Sequence, residues 1–223
     1  MCFLKIVCIS DTHNRLNKII NNIPDGNLLI HCGDLTGRGE IWEIENELDK
    51  LEKLNDKFND TILIAGNHDF GFERHSPLME QMCKERDITY LNDSGVDLNG
   101  IKVWGSPVSP RFFNWAFNRD RGEDIKKHWD LIPDDTNILI THVPPYRILD
   151  ELVYPNGDGK NNFVGCEELS KKIVTLEKLR YHFFGHIHFW GGLQKTVGNV
   201  TYFNASICDE LYMPSNPITV VDY

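Results

Sequence analysis

The chain has 223 residues, a length that suits a single domain over residues 1–223 with a core that needs no disulfide or metal to fold. Its 33 acidic and 23 basic residues give a net charge of -10, which argues against nucleic-acid partners and against a polybasic membrane anchor. No apolar run approaches the ~18 residues of a membrane span, so we expect a cytoplasmic protein with reduced cysteines.

Short apolar runs alternate along the chain with helical patterns, and this order predicts an α/β fold. The predicted strands, in chain order, are 3–9, 28–32, 61–65, 101–104, 137–141, 181–184 and 200–204. Asn99 and Gly100 precede the fourth strand and predict a tight type I′ hairpin turn with a short strand at 96–98.

Three segments between the strands carry apolar residues at three- and four-residue spacing, which predicts amphipathic helices packed on the core. The three stripes are Ile41, Ile44, Leu48, Leu51 and Leu54; Leu78, Met79, Met82 and Cys83; and Leu169, Ile173, Leu176 and Leu179. The polar, glycine-containing stretch 154–162 predicts an exposed loop, which is either a lid or a plain connection.

Polar side chains follow five of the predicted strands at the point where each strand ends. In chain order they are Asp11, His13, Asp34, Asn67, His68, His142, His186 and His188. Because open α/β sheets bind ligands beyond the carboxyl ends of their strands, we expect these five loops to converge on one site. Each residue alone has an ordinary explanation, such as a helix cap for Asp11 or a turn for Asp34. Together, their oxygen and nitrogen donors favour a site for two cations about 3.5–4 Å apart that clamp a phosphoester.

The order of these residues resembles the signature of the calcineurin-like metallophosphoesterase superfamily, which reads DxH, GD, GNH(D/E), H and GHxH. The matching segments here are 11–13, 33–34, 66–69, residue 142 and 185–188. The resemblance implies two mixed β-sheets packed as a sandwich flanked by helices. It also implies two cation sites that share Asp34, one with Asp11, His13 and His188 and the other with Asn67, His142 and His186.

Within the superfamily the chain is similar to the metallophosphoesterase-domain-containing branch of small class III phosphodiesterases. Segments 9–13, 64–68, 105–107, 114–117, 141–145 and 204–206 carry this likeness. Some animal members have glycine at the position of His186, so the histidine favours two bound metals here. Protein Ser/Thr phosphatases carry an arginine where this chain has Ala65, which argues against that function. Val143 departs from the glycine common in the branch and could reshape the mouth of the pocket.

The resemblance implies a phosphodiesterase that cleaves small diesters, with 2′,3′- or 3′,5′-cyclic nucleotides expected, by attack of a metal-bridging hydroxide. His68 is expected to stand beside the leaving group as a general acid or charge stabiliser. The mixture of carboxylate, amide and imidazole suits manganese, with iron or zinc as alternatives. A phosphomonoesterase or nuclease with the same site, or a non-catalytic metal-binding scaffold, remain open as alternatives.

Residues outside the motifs supply candidate contacts to the substrate. Arg38 follows Asp34 by four residues and is a candidate phosphate contact, with a solvated loop position as the alternative. Asn114 and Trp115, with Phe117, are candidates for a wall on which a nucleobase stacks, with ordinary packing as the alternative. The remaining histidines are expected to be structural or surface residues, namely His31, His75, His128 and His182.

Overall fold

The computed structural model describes residues 4–152 and 162–223. Its strands are β1 (Lys5–Ile9), β2 (Leu28–Cys32), β3 (Asp60–Ile64), β4 (Ile88–Tyr90), β5 (Ser94–Leu98), β6 (Ile101–Ser106), β7 (Ser109–Pro110), β8 (Asn118–Arg119), β9 (Ile138–Thr141), β10 (Glu151–Leu152), β11 (Asn162–Phe163), β12 (Tyr181–Phe184), β13 (Gln194–Val197), β14 (Val200–Asn204) and β15 (Thr219–Asp222). Its α-helices are α1 (Leu16–Ile19), α2 (Ile41–Glu52), α3 (Phe70–Arg74), α4 (Ser76–Lys84), α5 (Glu123–Trp129) and α6 (Glu167–Thr175). Short 3-10 turns occupy Ile20–Asn22, Asn55–Lys57 and His188–Trp190.

The strands form two main sheets. The first has the order β15-β1-β2-β3-β4, in which β1 to β4 run parallel and β15 is antiparallel to β1. The second has the order β13-β14-β12-β9-β6-β5, with four parallel strands in the middle and an antiparallel strand at each edge. Two short pairs, β10 with β11 and β7 with β8, stand apart from these sheets.

Side chains of the central strands alternate between layers, because successive residues of a strand point to opposite faces of its sheet. Cys8 of β1 and Ile140 of β9 belong to one buried cluster between the two sheets. Val7 packs on the other face with residues of α2 and α4. Leu139 packs on the outer face of the second sheet with residues of α5 and α6. The expected sandwich of two mixed sheets flanked by helices is therefore confirmed.

The seven predicted strands are all present, with their ends moved by at most two residues. The predicted hairpin is also present, since Leu98 pairs with Ile101 and the two turn residues have φ 54° and 92°, as a type I′ turn requires. Sequence reasoning missed the short elements, which are β4, β7, β8, β10, β11, β13, β15, α1, α3 and α5. They have two to seven residues, and β13 is exposed along its whole length, so neither the two-residue period of a strand nor the 3.6-residue period of a helix is visible in them.

The predicted helix stripes need correction at their ends. Ile41 is exposed because it is the first residue of α2, and Leu78 is exposed because it lies one position off the buried face of α4. Leu54 is buried but follows the end of α2 at Glu52, and Leu176 and Leu179 are buried but follow the end of α6 at Thr175. The rest of each stripe is buried as predicted.

The predicted loop 154–162 lies outside the described residues up to position 161. Asn162 was expected to belong to it but is the first residue of β11, where it pairs with Leu152. Across the described parts of the chain, no helix is both long and apolar enough to cross a bilayer. The five cysteines among the described residues are free and buried.

Candidate metal centre

The carboxyl ends of strands from both sheets meet at one edge of the sandwich. The backbone N–H of Asp11 donates to the carbonyl of Gly33 (2.9 Å), so the loops after β1 and β2 continue the pairing of their strands. In the second sheet, Gly185 N–H donates in the same way to the carbonyl of His142 (3.0 Å). A parallel bridge between Ser10 and Ser206 joins the two sheets at this edge. The five motif loops are therefore brought together, as predicted.

Four of the predicted metal ligands have a left-handed backbone. Their φ angles are 53° for Asp11, 43° for His13, 52° for Asp34 and 69° for His186. Outside glycine such a conformation costs of order 1–3 kcal/mol and persists only where the surroundings impose it. Strained backbone of this kind is concentrated at functional sites.

Glycine is required beside both carboxylates because another loop approaches each of them closely. A Cβ added to Gly66 would lie 2.2 Å from Oδ1 of Asp34. One added to Gly185 would lie 2.1 Å from Oδ2 of Asp11. The glycines of the GNH and GHxH motifs thus allow the backbone to bind the carboxylates directly.

Each carboxylate uses one oxygen to hold a neighbouring loop. Oδ2 of Asp11 accepts from the backbone N–H of His186 (2.9 Å) and the hydroxyl of Ser206 (2.8 Å). Oδ1 of Asp34 accepts from the backbone N–H of His68 (2.8 Å). Oδ1 of Asp11 is buried and has no hydrogen-bond partner among the described residues. A second oxygen on each carboxylate is therefore available for another ligand.

Three of the predicted histidine ligands have their Nδ1 against a backbone carbonyl. Because a carbonyl only accepts, each Nδ1 carries the hydrogen and Nε2 is left for another partner. This arrangement is typical of metal-ligating histidines, whose second nitrogen is held by an outer hydrogen bond. The pairs are His13 with Thr36 (3.3 Å), His142 with Cys32 (2.9 Å) and His188 with Asp209 (2.9 Å).

The first group of donor atoms, which we call cluster A, contains Oδ1 of Asp11 and Nε2 of His13 and His188. Oδ1 of Asp11 lies 3.4 Å from Nε2 of His188 and 3.9 Å from Nε2 of His13. The two Nε2 atoms are 3.2 Å apart. Three donor atoms that converge in this way on one buried point can share a cation.

The second group, cluster B, contains Oδ2 of Asp34, Oδ1 of Asn67, Nε2 of His142 and the ring of His186. Nε2 of His142 lies 3.4 Å from Oδ2 of Asp34 and 3.0 Å from Oδ1 of Asn67. A ring nitrogen of His186 completes a group with Asp34 and His142 in which donor atoms lie within 4.8 Å of one another. Oδ2 of Asp34 is also 3.9 Å from Nε2 of His13, so one oxygen faces both clusters.

The charges at this edge fit the chemistry of a cation site. Burial lowers the pKa of His13 to about 4, and burial with the neighbouring His142 lowers that of His186 to about 4. Burial opposes ionisation of Asp34 and His142, but their mutual attraction holds the pKa of Asp34 well below its usual range and raises that of His142 to about 9. At neutral pH Asp34 is therefore ionised and His13 and His186 are neutral, whereas His142 has to release its Nε2 proton before that nitrogen can bind a cation. Carboxylate and imidazole donors together form a set that suits divalent transition metals.

His68 lies beside these clusters. Its Nδ1 is 2.8 Å from the carbonyl of Gly37, and its Nε2 is 3.9 Å from Oδ2 of Asp34. Its ring packs on Trp115 with 4.3 Å between the ring centroids. His68, His13 and Asp34 also satisfy the distances of a cation-binding group, so the geometry admits a ligand role as well as the expected proton-transfer role.

A cleft of about 360 Å³ opens above the donor atoms. Its lining residues are Asp34, Asn67, His68, Phe112, Trp115, Leu152, His186, Ile187, His188, Phe189, Glu210 and Tyr212. Trp115 lies in this lining, as expected for a substrate contact. Arg38 and Asn114 are exposed and do not line the cleft. Phe117 is buried in the core below α2 and α4, so its expected position in the wall is wrong.

Several residues of the site carried no motif signal or no assigned role. Ser206 lies in a segment of the family resemblance, but only the structure shows its hydroxyl on Asp11. Asp69 closes the GNH motif, and its buried carboxylate accepts the backbone N–H groups of Leu35, Thr36 and Gly66. It thereby ties the loop after β2 to the loop after β3. The lining residues Phe112, Phe189, Glu210 and Tyr212 were missed because isolated aromatic or acidic loop residues have no periodicity or motif.

Two of the histidines outside the motifs are buried on the sheets. Nε2 of His31 is 2.9 Å from the hydroxyl of Thr12, and Nε2 of His182 is 2.8 Å from that of Thr141. Burial lowers the pKa of both imidazoles to about 3. His128 contacts the carboxylate of Asp93 at 2.6 Å, away from the cleft, and His75 is exposed.

Residues 4–189 match the family model described as calcineurin-like phosphoesterase. The chain belongs to this family. It is 35% identical over 241 residues to human Metallophosphoesterase domain-containing protein 1, covering 99% of this chain and 71% of that protein. It is 34% identical over 220 residues to a UPF0046 protein of Caenorhabditis elegans, covering 93% and 71% of the two chains.

Solved structures support the same fold. TT1561 of Thermus thermophilus aligns with a TM-score of 0.61 over 99% of both chains, at 13% sequence identity. Membership of the calcineurin-like phosphoesterase family supports a metal-dependent phosphoester hydrolase, and the His/Asp clusters are the residues of this chain that fit divalent metals.

Proposed function

We propose that this chain is a phosphodiesterase with two metal ions that hydrolyses small diesters, with 2′,3′- or 3′,5′-cyclic nucleotides as its substrates. The observation that carries the proposal is Oδ2 of Asp34, which lies 3.9 Å from His13 in cluster A and 3.4 Å from His142 in cluster B. A carboxylate oxygen between two donor groups is what a pair of adjacent cations requires as a bridge.

The proposed ligands follow from the two clusters. Cluster A would hold one cation with Asp11, His13 and His188, and cluster B the other with Asn67, His142 and His186. Asp34 would serve both. Manganese suits this mixed set of oxygen and nitrogen donors, with iron or zinc as alternatives.

When bound, two such cations would neutralise the phosphate oxygens and activate a water for attack on phosphorus. The chain's own residues then have defined tasks. Asp11 and Asp34 supply the charge that holds the cations through Oδ1 and Oδ2 respectively, and the other oxygen of each carboxylate is fixed by a backbone N–H group. His68, whose Nδ1 donates to the carbonyl of Gly37, would use Nε2 to protonate the leaving oxygen.

Trp115 supports the assignment of a nucleotide-like substrate. Its ring lines the cleft and packs on His68, so a base stacked on Trp115 would bring the leaving group near the proposed acid. Arg38 and Asn114 do not line the cleft, and we do not assign them to substrate binding.

The test is hydrolysis of bis(p-nitrophenyl) phosphate and p-nitrophenyl phosphate by manganese-loaded protein. We expect the diester to be preferred, with activity lost in EDTA and restored by manganese, and then turnover of one class of cyclic nucleotide. Preference for the monoester would identify a phosphomonoesterase. Inactivity on both esters with two metals bound would identify a non-catalytic scaffold.

A further inference from the structure

Aromatic and apolar side chains surround the mouth of the cleft and face solvent. Phe112 and Phe113 come from the loop after β7, Phe189 from the turn after β12, and Leu211 with Tyr212 from the loop after β14. The exposed fractions reach 76% for Phe113 and 81% for Leu211. Exposed apolar groups gathered at one place on a protein commonly mark a binding surface.

These rings lie directly above the donor clusters. The ring of Tyr212 is 4.8 Å from that of His13 and 5.3 Å from that of His188, measured between centroids. Trp115 packs on His68 with a centroid distance of 4.3 Å. We call Phe112, Trp115, Phe189 and Tyr212 the aromatic rim. It has one part against His68 and another against His13 and His188, so it continues the proposed catalytic site.

The loop that carries Tyr212 is built to present it. The carboxylate of Asp209 accepts the backbone N–H groups of Leu211 and Met213, both at 2.9 Å, and the hydroxyl of Ser215 at 2.8 Å. The carbonyl of Asp209 accepts from Nδ1 of the proposed ligand His188. Tyr212 itself has φ 57°. A hydrogen-bonded loop with left-handed backbone at its apolar tip, anchored on a ligand histidine, indicates a specific role for that tip.

The loop that carries Phe112 has a similar construction. The side-chain amide of Asn118 donates to the carbonyls of Phe112 (3.2 Å) and Phe113 (3.0 Å). Phe113 has φ 48°, and the rings of Phe112 and Phe113 are 4.4 Å apart. Two separate loops are therefore held by internal hydrogen bonds with their aromatic side chains outward.

The charge of the cleft restricts what the rim can bind. Among the described residues that line the cleft there is no lysine or arginine, and Glu210 is the acidic residue outside the proposed cation ligands. A substrate with one phosphodiester would have its single charge neutralised by the cations. A second anionic group at the rim would be repelled by the carboxylate of Glu210.

We propose that the aromatic rim is a specificity subsite that binds the non-leaving arm of the diester and selects an arm that is uncharged and aromatic, with Glu210 excluding anionic arms. This inference rests on the proposed function and refines its substrate class. It predicts singly charged aryl or nucleoside diesters as substrates and predicts discrimination against diesters that carry a second phosphate or carboxylate.

The test uses p-nitrophenyl diesters that share one leaving group and differ only in the other arm, namely methyl, phenyl and 4-carboxyphenyl. Burial of the larger apolar arm predicts a kcat/KM for the phenyl ester about tenfold above that for the methyl ester. The 4-carboxyphenyl ester is predicted to fall several-fold below the phenyl ester. Equal kcat/KM for the phenyl and methyl esters would overturn the proposal.

Variants separate the contribution of the aromatic rim from that of Glu210. Phe189→Ala is expected to reduce the phenyl-to-methyl ratio toward one, whereas Leu193→Ala, an exposed apolar residue outside the lining, should leave it unchanged. Glu210→Gln is expected to bring the 4-carboxyphenyl ester close to the phenyl ester. An unchanged ratio in Glu210→Gln would contradict the role assigned to that carboxylate.

Failure of the proposed function is distinguishable from failure of the rim. Hydrolysis of the methyl ester reports the catalytic centre alone. If no diester is hydrolysed, calorimetry of phenylphosphonate against methylphosphonate on the manganese-loaded protein still measures the rim. Tighter binding of phenylphosphonate that is lost in Phe189→Ala would support the subsite, and equal binding would overturn it.

Discussion

The donor clusters and the aromatic rim lie within one cleft but are constructed in opposite ways. Asp11 and Asp34 are almost completely buried, and the backbone N–H of another loop holds an oxygen of each. Phe112 and Tyr212 have their backbones held by hydrogen bonds within their own loops, and 58% and 40% of their surfaces remain exposed. Left-handed backbone occurs in both regions, but only the clusters are held by hydrogen bonds between loops of the two sheets.

The difference separates chemistry from selection. A substitution in the clusters disturbs loops of both sheets at once. Asp11, for example, follows a strand of the first sheet, but it hydrogen-bonds to His186 and Ser206, which follow strands of the second. A change in the rim alters one loop tip and leaves the donor atoms in position. We therefore expect a substitution farther from the donor atoms to reduce activity less. We also expect its effect to differ more from one substrate to another.

The largest effect is expected for Asp34→Asn. The amide keeps the shape but removes the charge that faces both clusters, so turnover of bis(p-nitrophenyl) phosphate should fall by more than the ~10²-fold cost of losing an outer hydrogen-bonding partner. Asp93→Asn is the matched control, since its carboxylate binds Ser106 and His128 away from the cleft. Similar activity in the two variants would contradict the role of Asp34.

His68→Ala tests the residue between clusters and rim. Without its proton transfer, turnover should decrease by ~10²–10⁴ while both metals stay bound. Metal content measured on the same sample decides between the two roles that the geometry admits. Loss of one metal equivalent that accounts for the whole defect would make His68 a ligand instead, and His128→Ala serves as the control.

Ser206→Ala removes the hydroxyl that holds Oδ2 of Asp11 at 2.8 Å. We expect a ~10–100-fold loss of affinity for one cation, because outer partners of this kind orient the ligand. Titration with manganese measures the affinity. Ser170→Ala, whose hydroxyl bonds to the carbonyls of Tyr146 and Cys166, should bind manganese like the parent protein. Equal affinities in the two variants would show that Ser206 does not act through Asp11.

The smallest effect is expected in the rim. Trp115→Leu removes a stacking surface and should lower kcat/KM for thymidine 5′-(p-nitrophenyl phosphate) about fivefold relative to the methyl ester. Trp42→Leu replaces an exposed tryptophan of α2 and should not alter this ratio. A uniform decrease for both esters would mean that Trp115 acts on His68 rather than on the base.

The sequence allowed the clusters to be predicted, but of the rim only Trp115. Asp11, Asp34 and the motif histidines could be predicted because each follows a buried strand whose apolar run is visible in the sequence. The outer partners Ser206 and Asp69 are hydrogen-bonded across 195 and 33 positions, and no local pattern encodes such contacts. Phe117 stands two positions after Trp115 and has the same aromatic character, so the sequence does not distinguish the two residues, but in the structure Phe117 has φ 57° and its side chain packs in the core.

The fold, like the site, was predictable where the sequence carries a local pattern. Buried strands with continuous apolar runs, such as β2 and β9, were predicted within one residue. Edge strands were missed, because β13 and β15 bury little surface and take their structure from pairing with β14 and β1. Their formation is a tertiary effect that local propensity does not encode.

The most direct test of the account is the number of metals bound per chain. Elemental analysis of manganese-loaded protein after gel filtration should give two equivalents for the parent protein. His186→Ala should retain one, because only cluster B loses a donor, and Asp34→Asn should retain less than one. A single equivalent in the parent protein, or two in His186→Ala, would contradict the assignment of two cations to clusters A and B.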